Sequence, residues 1–445
     1  MPAARAHTAG VRAQARAGAA LGLVVFGWTV LALPRAALAQ TISQTLLDSE
    51  IPDARRAGRN VSVLERPHPE WAAIGIPAGG FTLYPKLETG IGYLSNVFGV
   101  ANQPTGDAAV LLSPSIFAQS NWGRHELTAE AGANLREFVS QGTENEEGWF
   151  VQADGRLDVI DYDTITGGVE VRKLYNERDS GFYPTGAAAA LGYMKAGGYL
   201  RGTRESGRLR LVGSVDSYDY TYDSVARLGG GVLDQSFNNQ NTSRFSVRAE
   251  WATTPDAALF GQFTHVIKTF QKTGASDLSS TEERSLVGVA LDLTSLIRMS
   301  AGVGYVARHY DTGAFKAVSG LAFNGRVEYF LTPLTTLSGS LQRTVEDSLD
   351  FGGGGFFDTQ LRAAVDNELL RNVLLSAYFK YENDDYSNEP RSDDISEYGV
   401  GVSYSLSHLV SIRGDLSHVD RTSSGSAPGP VFEETRLFLT TTLQF

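Results

Sequence analysis

The sequence predicts an all-β protein, a transmembrane antiparallel up-and-down β-barrel of about eighteen strands with short turns at one end and long loops at the other. Three observations predict it. Short turns alternate with longer loops along the chain, the segments between them alternate apolar and polar residues with period two, and past the first 39 residues no apolar run approaches the roughly 18 residues of a spanning helix.

At the amino terminus Arg5, Arg12 and Arg16, with no acidic residue among them, precede an apolar stretch from about Ala17 to Leu33 and then Ala37-Leu38-Ala39. That order reads as a secretory signal peptide, residues 1–39, cleaved after Ala39. These residues hold four Arg and no Asp or Glu, so the formal charge of −12 becomes −16 in the mature chain. An acidic protein is a poor partner for nucleic acid or for an anionic membrane surface. The chain has no Cys, so neither a disulfide framework nor a thiolate metal site is available, and no cofactor is expected.

Residues 40–80 contain Arg55, Arg56, Arg59, Pro67, Pro69 and Pro77 without strand alternation, and read as a periplasmic segment that tethers the barrel or plugs it from below. The barrel is expected over 81–445. Its short turns are Asn121–His125, Asp161–Thr164, Arg204–Gly207, Thr253–Asp256, Leu293–Leu296, Leu331–Leu334, Asn367–Leu370 and Leu406–Leu409, the last four about 38 residues apart. The loops fall near 95–106, 139–147, 177–188, 220–242, 270–282, 310–319, 346–357, 382–394 and 420–430, and the acidic ones, such as Glu382–Pro390, would face outside. Nine loops and eight turns make eighteen strands, or sixteen if the weakly alternating stretches near 189–222 and 256–268 are not spans. Either number leaves a lumen wider than side chains fill.

Phe81, Leu83, Leu87, Ile91 and Tyr93 share one face, against Lys86, Glu88, Gly90 and Gly92. Phe245, Val247, Ala249 and Trp251 oppose Arg244, Ser246, Arg248 and Glu250 in the same way, and Leu321, Phe323, Val327 and Tyr329 oppose Asn324, Arg326 and Glu328. In the closing strand Leu437, Leu439, Leu443 and Phe445 share one parity, which resembles the carboxy-terminal signature read by the barrel assembly machinery. Trp149, Tyr175, Trp251, Tyr305, Tyr329, Phe379, Tyr404 and Phe445 would form interfacial girdles facing outer-membrane lipid.

The polar parity carries a ladder of arginines: Arg156, Arg172, Arg208, Arg210, Arg244, Arg248, Arg298, Arg308, Arg326, Arg362, Arg413 and Arg436. Glu130, Asp154, Asp158, Glu170, Glu250, Glu328, Asp366 and Asp415 point the same way. Cross-strand ion pairs lining a wet wall are one reading and a charged eyelet for anions is the other. Phe150, Tyr84 and Phe438, also inward, offer stacking surfaces for sugars or packing against an inserted loop. His309 with Asp311 and His418 with Asp420 are the residues a rim hydrolase would need.

Arg66-Pro-His-Pro-Glu70, Ile74-Gly-Ile76, Gly80–Pro85, Tyr93, Asn96-Val-Phe98, Ser113-Pro-Ser115 and Ser120–His125 resemble the opening of the putative β-barrel porin 2 family of Gram-negative bacteria. The resemblance implies an outer-membrane barrel, often associated with exopolysaccharide secretion, with no catalytic residues. The expected role is therefore a conduit for exopolysaccharide, served by periplasmic export components. A diffusion porin for small anions or sugars is the alternative, and a barrel-rim hydrolase the third reading.

Overall fold

Period-two alternation becomes strand wherever the chain was read that way. A computed structural model describes residues 61–160, 163–180, 183–271, 277–348, 350 and 353–445; the signal peptide and residues 40–60 lie outside the described residues. A short strand, β1 (Ile76–Ala78), doubles back onto β2 (Phe81–Leu94), where no strand was expected. The wall then runs β3 (Asp107–Ser120), β4 (Glu126–Phe138), β5 (Glu146–Ile160), β6 (Asp163–Asn176), β7 (Leu191–Ser206) and β8 (Leu209–Tyr222). A loop carrying the two-residue strands β9 (Val225–Ala226) and β10 (Val232–Leu233) leads to β11 (Gln240–Thr254), β12 (Ala257–Phe270), β13 (Ser280–Thr294) and β14 (Ile297–Tyr310). The remainder are β15 (Val318–Thr332), β16 (Thr335–Asp347), β17 (Gly355–Leu370), β18 (Val373–Tyr386), β19 (Arg391–Ser405), β20 (Val410–Gly425) and β21 (Phe432–Gln444).

Each wall strand pairs antiparallel with its neighbours in sequence, and β2 pairs with β21 from Lys86 opposite Gln444 to Leu94 opposite Arg436. The result is a closed 18-strand barrel, including β7, β8 and β12, whose alternation was weakest. Closure leaves no edge of unpaired backbone groups, which hydrocarbon would not tolerate.

The short turns share a local device. The register shifts by one residue at Ala252/Thr254, Asp292/Thr294, Phe330/Thr332 and Glu368/Leu370, just before the reversal. At three of these the terminal threonine caps the turn, its Oγ1 accepting the backbone N–H two residues on: Thr254 from Asp256, Thr294 from Leu296 and Thr332 from Leu334. Gly207 turns the β7–β8 hairpin at φ 59°, a left-handed conformation that glycine adopts without penalty.

Two of the boundary differences have a plain physical reason. The turn expected at Asn367–Leu370 is Arg371-Asn372, because β17 continues through the bulge to Leu370. The expected acidic loop near 382–394 shrinks to residues 387–390, since Glu382-Asn-Asp-Asp385 belongs to β18 and pairs with β19. Polar residues in that run argued for a loop, but inside a barrel the inward parity is polar by design.

The outward parity is predominantly apolar, with Ile91, Val151, Phe245, Leu259, Val303, Leu361, Val400 and Leu439 exposed to the lipid side. Leu437, Leu443 and Phe445 share that face. All eight girdle aromatics lie on outward parity, although Tyr305 and Phe379 sit in mid-strand rather than at an interface. The inward side is not uniformly polar: Leu286, Val306, Val318 and Ala322, on the inward parity of β13 to β15, form a buried apolar patch with Val345 and Phe357, which share the parity of Leu341 and Leu361.

Candidate functional site: the lumen

Eleven of the twelve arginines read from the sequence lie on the inward parity of their strands: Arg156, Arg172, Arg210, Arg244, Arg248, Arg298, Arg308, Arg326, Arg362, Arg413 and Arg436. The exception is Arg208. It follows Gly207 in the β7–β8 turn and is exposed at the short-turn end, so it does not line the wall.

The pairing rule differs from the one expected. Beside cross-strand pairs such as Arg298–Glu328 (3.1 Å) and Arg244–Asp216 (3.4 Å), many bridges run along one strand between residues i and i+2. Arg248–Glu250 (2.6 Å), Arg284–Glu282 (2.8 Å), Arg326–Glu328 (2.9 Å), Lys380–Glu382 (2.8 Å), Arg391–Asp393 (2.6 Å) and Arg436–Glu434 (2.7 Å) are of this kind. Residues two apart share a face, and the long basic side chain spans the gap. The signal was a basic-x-acidic spacing, as in Arg248-Ala-Glu250 and Arg326-Val-Glu328. It was written in the chain but read one residue at a time.

Most of these pairs are buried together, and Arg326–Glu328 is the unequal one. Glu328 is 2% exposed, whereas the Arg326 side chain is 45% exposed and faces the lumen; at Arg248–Glu250 both side chains are largely buried. The guanidinium of Arg362 stacks 4.7 Å from the Tyr378 ring. At Arg326–Glu328 the wall hides carboxylate and shows guanidinium. Of the inward aromatics, Phe150 carries the Arg172 guanidinium at 5.3 Å, Tyr84 meets Phe117 at 6.0 Å, and Phe438 packs on Leu94, Val97, Ala109 and Phe138.

The third loop, between β6 and β7, reaches inward from the long-loop end. Arg178 donates to Glu144 and to the carbonyls of Phe98 and Ala187, and its guanidinium lies 4.7 Å from the Tyr183 ring. Asp179 pairs with Arg436 at 3.2 Å, and Arg421 donates to the Ser180 carbonyl at 2.8 Å. Four strands, β2 to β5, lie between β6 and β21, so these bonds carry the loop away from its own wall. Further along, the Thr185 backbone N–H donates to Asp350 in the β16–β17 loop at 2.8 Å. At this level the wide lumen expected from the strand number is narrowed by the chain itself. Burial tends to raise the Asp179 carboxyl, but Arg436, Lys380 and Arg421 outweigh it and hold the group below its ordinary value. Burial holds the Tyr183 hydroxyl protonated, and it donates to the Ala189 carbonyl at 2.6 Å.

The opposite mouth is lined by residues 61–75. Val63 is buried and its N–H donates to Thr336 Oγ1 at 3.1 Å, Arg66 donates to Glu368 at 2.6 Å and to the Pro333 carbonyl, and the Trp71 carbonyl accepts from Gln444 at 3.2 Å. The segment thus touches β16, β17 and β21 at their short-turn ends.

The hydrolase constellation does not assemble. His309 on β14 and His418 on β20 lie on outward parity with five strands between them, and His418 bonds Thr435 at 2.9 Å and lies beside the Tyr398 ring. Each histidine is taken up by the outer wall, not by a rim cleft.

The family described as putative beta-barrel porin 2 matches residues 68–445. No curated protein matches the sequence. Similar solved structures include Pseudomonas aeruginosa OpdK with vanillate, at 13% identity over 82% of this chain and 99% of that one, TM-score 0.45. They also include Pseudomonas aeruginosa OccK2 (OpdF) in complex with glucuronate, at 10% identity over 82% and 98%, TM-score 0.46. A BenF-like porin from Pseudomonas fluorescens Pf-5 shows 12% identity over 82% and 99%, TM-score 0.46.

Proposed function

The chain belongs to the putative β-barrel porin 2 family and is an outer-membrane β-barrel, and from that premise we propose that it is a non-enzymatic channel for the diffusion of small anionic solutes. The observation that carries this reading is the asymmetry of Arg326 and Glu328: the carboxylate is buried in the wall while the guanidinium is half exposed to the lumen. That guanidinium presents positive charge to a solute although the chain is acidic overall. Fixed guanidinium donors suit carboxylates, which they bind through two parallel hydrogen bonds.

A small solute is favoured over a polymer by the third loop. An extended, hydrated polysaccharide strand needs a continuous bore, and the bonds from Arg178, Asp179, Ser180 and Thr185 to other parts of the barrel stand in its way. Residues 61–75 narrow the other end in the same manner. Export of exopolysaccharide, with its periplasmic partners, finds no support in these contacts.

Liposome swelling with purified protein tests the proposal. Small carboxylates should enter several-fold faster than neutral sugars of the same size, and Arg326→Glu should abolish the difference without lowering the amount of folded protein. Equal rates for carboxylates and neutral sugars in the wild type would sink the anion reading. Loss of surface polysaccharide in a deletion strain, with no solute permeation by the protein, would return the export reading.

A further inference from the structure

We propose that the inner wall holds a binding site for a hard divalent cation, Ca²⁺, formed by the carboxylates of Asp358, Glu382 and Asp384. Asp358 on β17 stands directly opposite Asp384 on β18, and Gln360 stands opposite Glu382. All three acids point inward and are buried, Asp384 completely. One carboxylate oxygen from each lies within 4.8 Å of the others. Two ligands bound to one Ca²⁺ at about 2.4 Å are at most about 4.8 Å apart, so one ion can touch all three groups.

The hydrogen bonding is incomplete in the direction of that ion. Gln360 Nε2 donates to Asp358 Oδ2 at 2.8 Å, and Lys380 Nζ pairs with Glu382 at 2.8 Å. Asp358 Oδ1 and both oxygens of Asp384 are buried without a hydrogen-bond partner. Elsewhere on this wall buried carboxylates meet cations, as Glu282 and Asp347 meet Arg308, and Asp393 meets Arg391 and Arg421. Arg421 is committed to Asp393 and to the third loop, which leaves Lys380 as the basic group bonded within the acidic cluster.

Two aspartates facing each other across a ladder repel, and a buried unpaired carboxylate costs more still. Three carboxylates with a single ammonium bonded among them carry an excess of negative charge, which a divalent cation would offset. Carboxylate oxygens without sulfur or imidazole select a hard ion. Bound there, it would cross-link β17 to β18.

Tyr386, two residues past Asp384 on the same face, provides the readout through tyrosine-sensitised terbium luminescence. Purified full-length protein in detergent, stripped with EDTA and held at neutral pH, should bind one Tb³⁺ per chain that Ca²⁺ displaces. Ca²⁺ should also raise its unfolding temperature. The double variant Asp358→Asn/Asp384→Asn and the single variant Glu382→Gln should each weaken binding at least tenfold and lose the Ca²⁺-dependent stabilisation. Because the double variant removes the repulsion, without Ca²⁺ it should resist heat at least as well as the wild type, which separates loss of a site from loss of the fold. No saturable uptake by the wild type, or equal affinity in wild type and variants, overturns the proposal.

Discussion

Arg421 donates to Asp393 across the β19–β20 pair at 2.7 Å with neither side chain exposed, and the same guanidinium donates to the Ser180 carbonyl at 2.8 Å. One side chain therefore joins the wall to the third loop. In Arg421→Ala the wall survives, since Asp393 keeps Arg391 and Ser423, while the loop carbonyls lose their donor. The expected cost is about 1–3 kcal/mol, that of leaving buried polar groups unsatisfied. Single-channel recording should show a larger, noisier conductance than the wild type. Arg421→Lys should not restore it, because an ammonium lacks the guanidinium fork that reaches both partners.

The same loop makes the channel acid-sensitive. Burial works against the Asp179 carboxylate, but Arg436, Lys380 and Arg421 hold its pKa below the ordinary aspartate value of about 3.9. A depressed carboxyl stabilises the native arrangement fully above the unfolded value and loses that contribution as pH falls through the folded one. The bond from Asp179 to Arg436 should thus hold from neutral pH down to about pH 4 and fail below it. Conductance recorded from pH 7 to pH 3 should rise only at the acid end. Asp179→Asn should show the raised conductance already at pH 7 and a flatter profile; an unchanged acid step in that variant would place the titrating group elsewhere.

Alternation made the barrel legible because a wall with lipid on one side and water on the other imposes period two on every strand. It fixed which arginines face inward, and it failed at Arg208, where the strand had already ended and parity no longer has meaning. It could not find the buried apolar patch around Val306, because Leu286, Val306 and Ala322 are apolar residues on a polar parity and read as noise until Val345 and Phe357 are seen packed with them. Nor could it see the third loop turning inward. That depends on Arg421 and Arg436, more than two hundred residues away from Ser180 and Asp179, and pairings of that range leave no local pattern.

The segment at the short-turn mouth is held by few bonds. Arg66 joins Glu368, and Val63 joins Thr336 through its backbone and is itself buried. Arg66→Ala removes a partly exposed ion pair worth about 0.2–1 kcal/mol, too little to unfold the barrel. Adding Val63→Asp places an unpaired charge in a buried position and should release the segment. The double variant should be cleaved faster within 61–75 by added protease and should conduct better, with the barrel band intact on a gel. Equal conductance with and without the segment would show that these residues lie beside the path of solute and not across it.

Closure at β2 and β21 separates assembly from selectivity. Leu439 lies opposite Ile91, both exposed to lipid, whereas Arg436 on the same strand faces inward beside Glu434. Leu439→Arg puts a charge into hydrocarbon, at a cost of about 2–4 kcal/mol near the midplane. Phe445→Ser removes an exposed ring while its N–H can still donate to the Pro85 carbonyl, the bond that ends the seam. Both variants should lower the amount of heat-modifiable barrel in the outer membrane, and the molecules that do assemble should keep wild-type ion selectivity. Arg436→Ala should behave oppositely, assembling while freeing Asp179 and altering the current. If Leu439→Arg assembled normally but changed selectivity, the assignment of the two faces would be inverted.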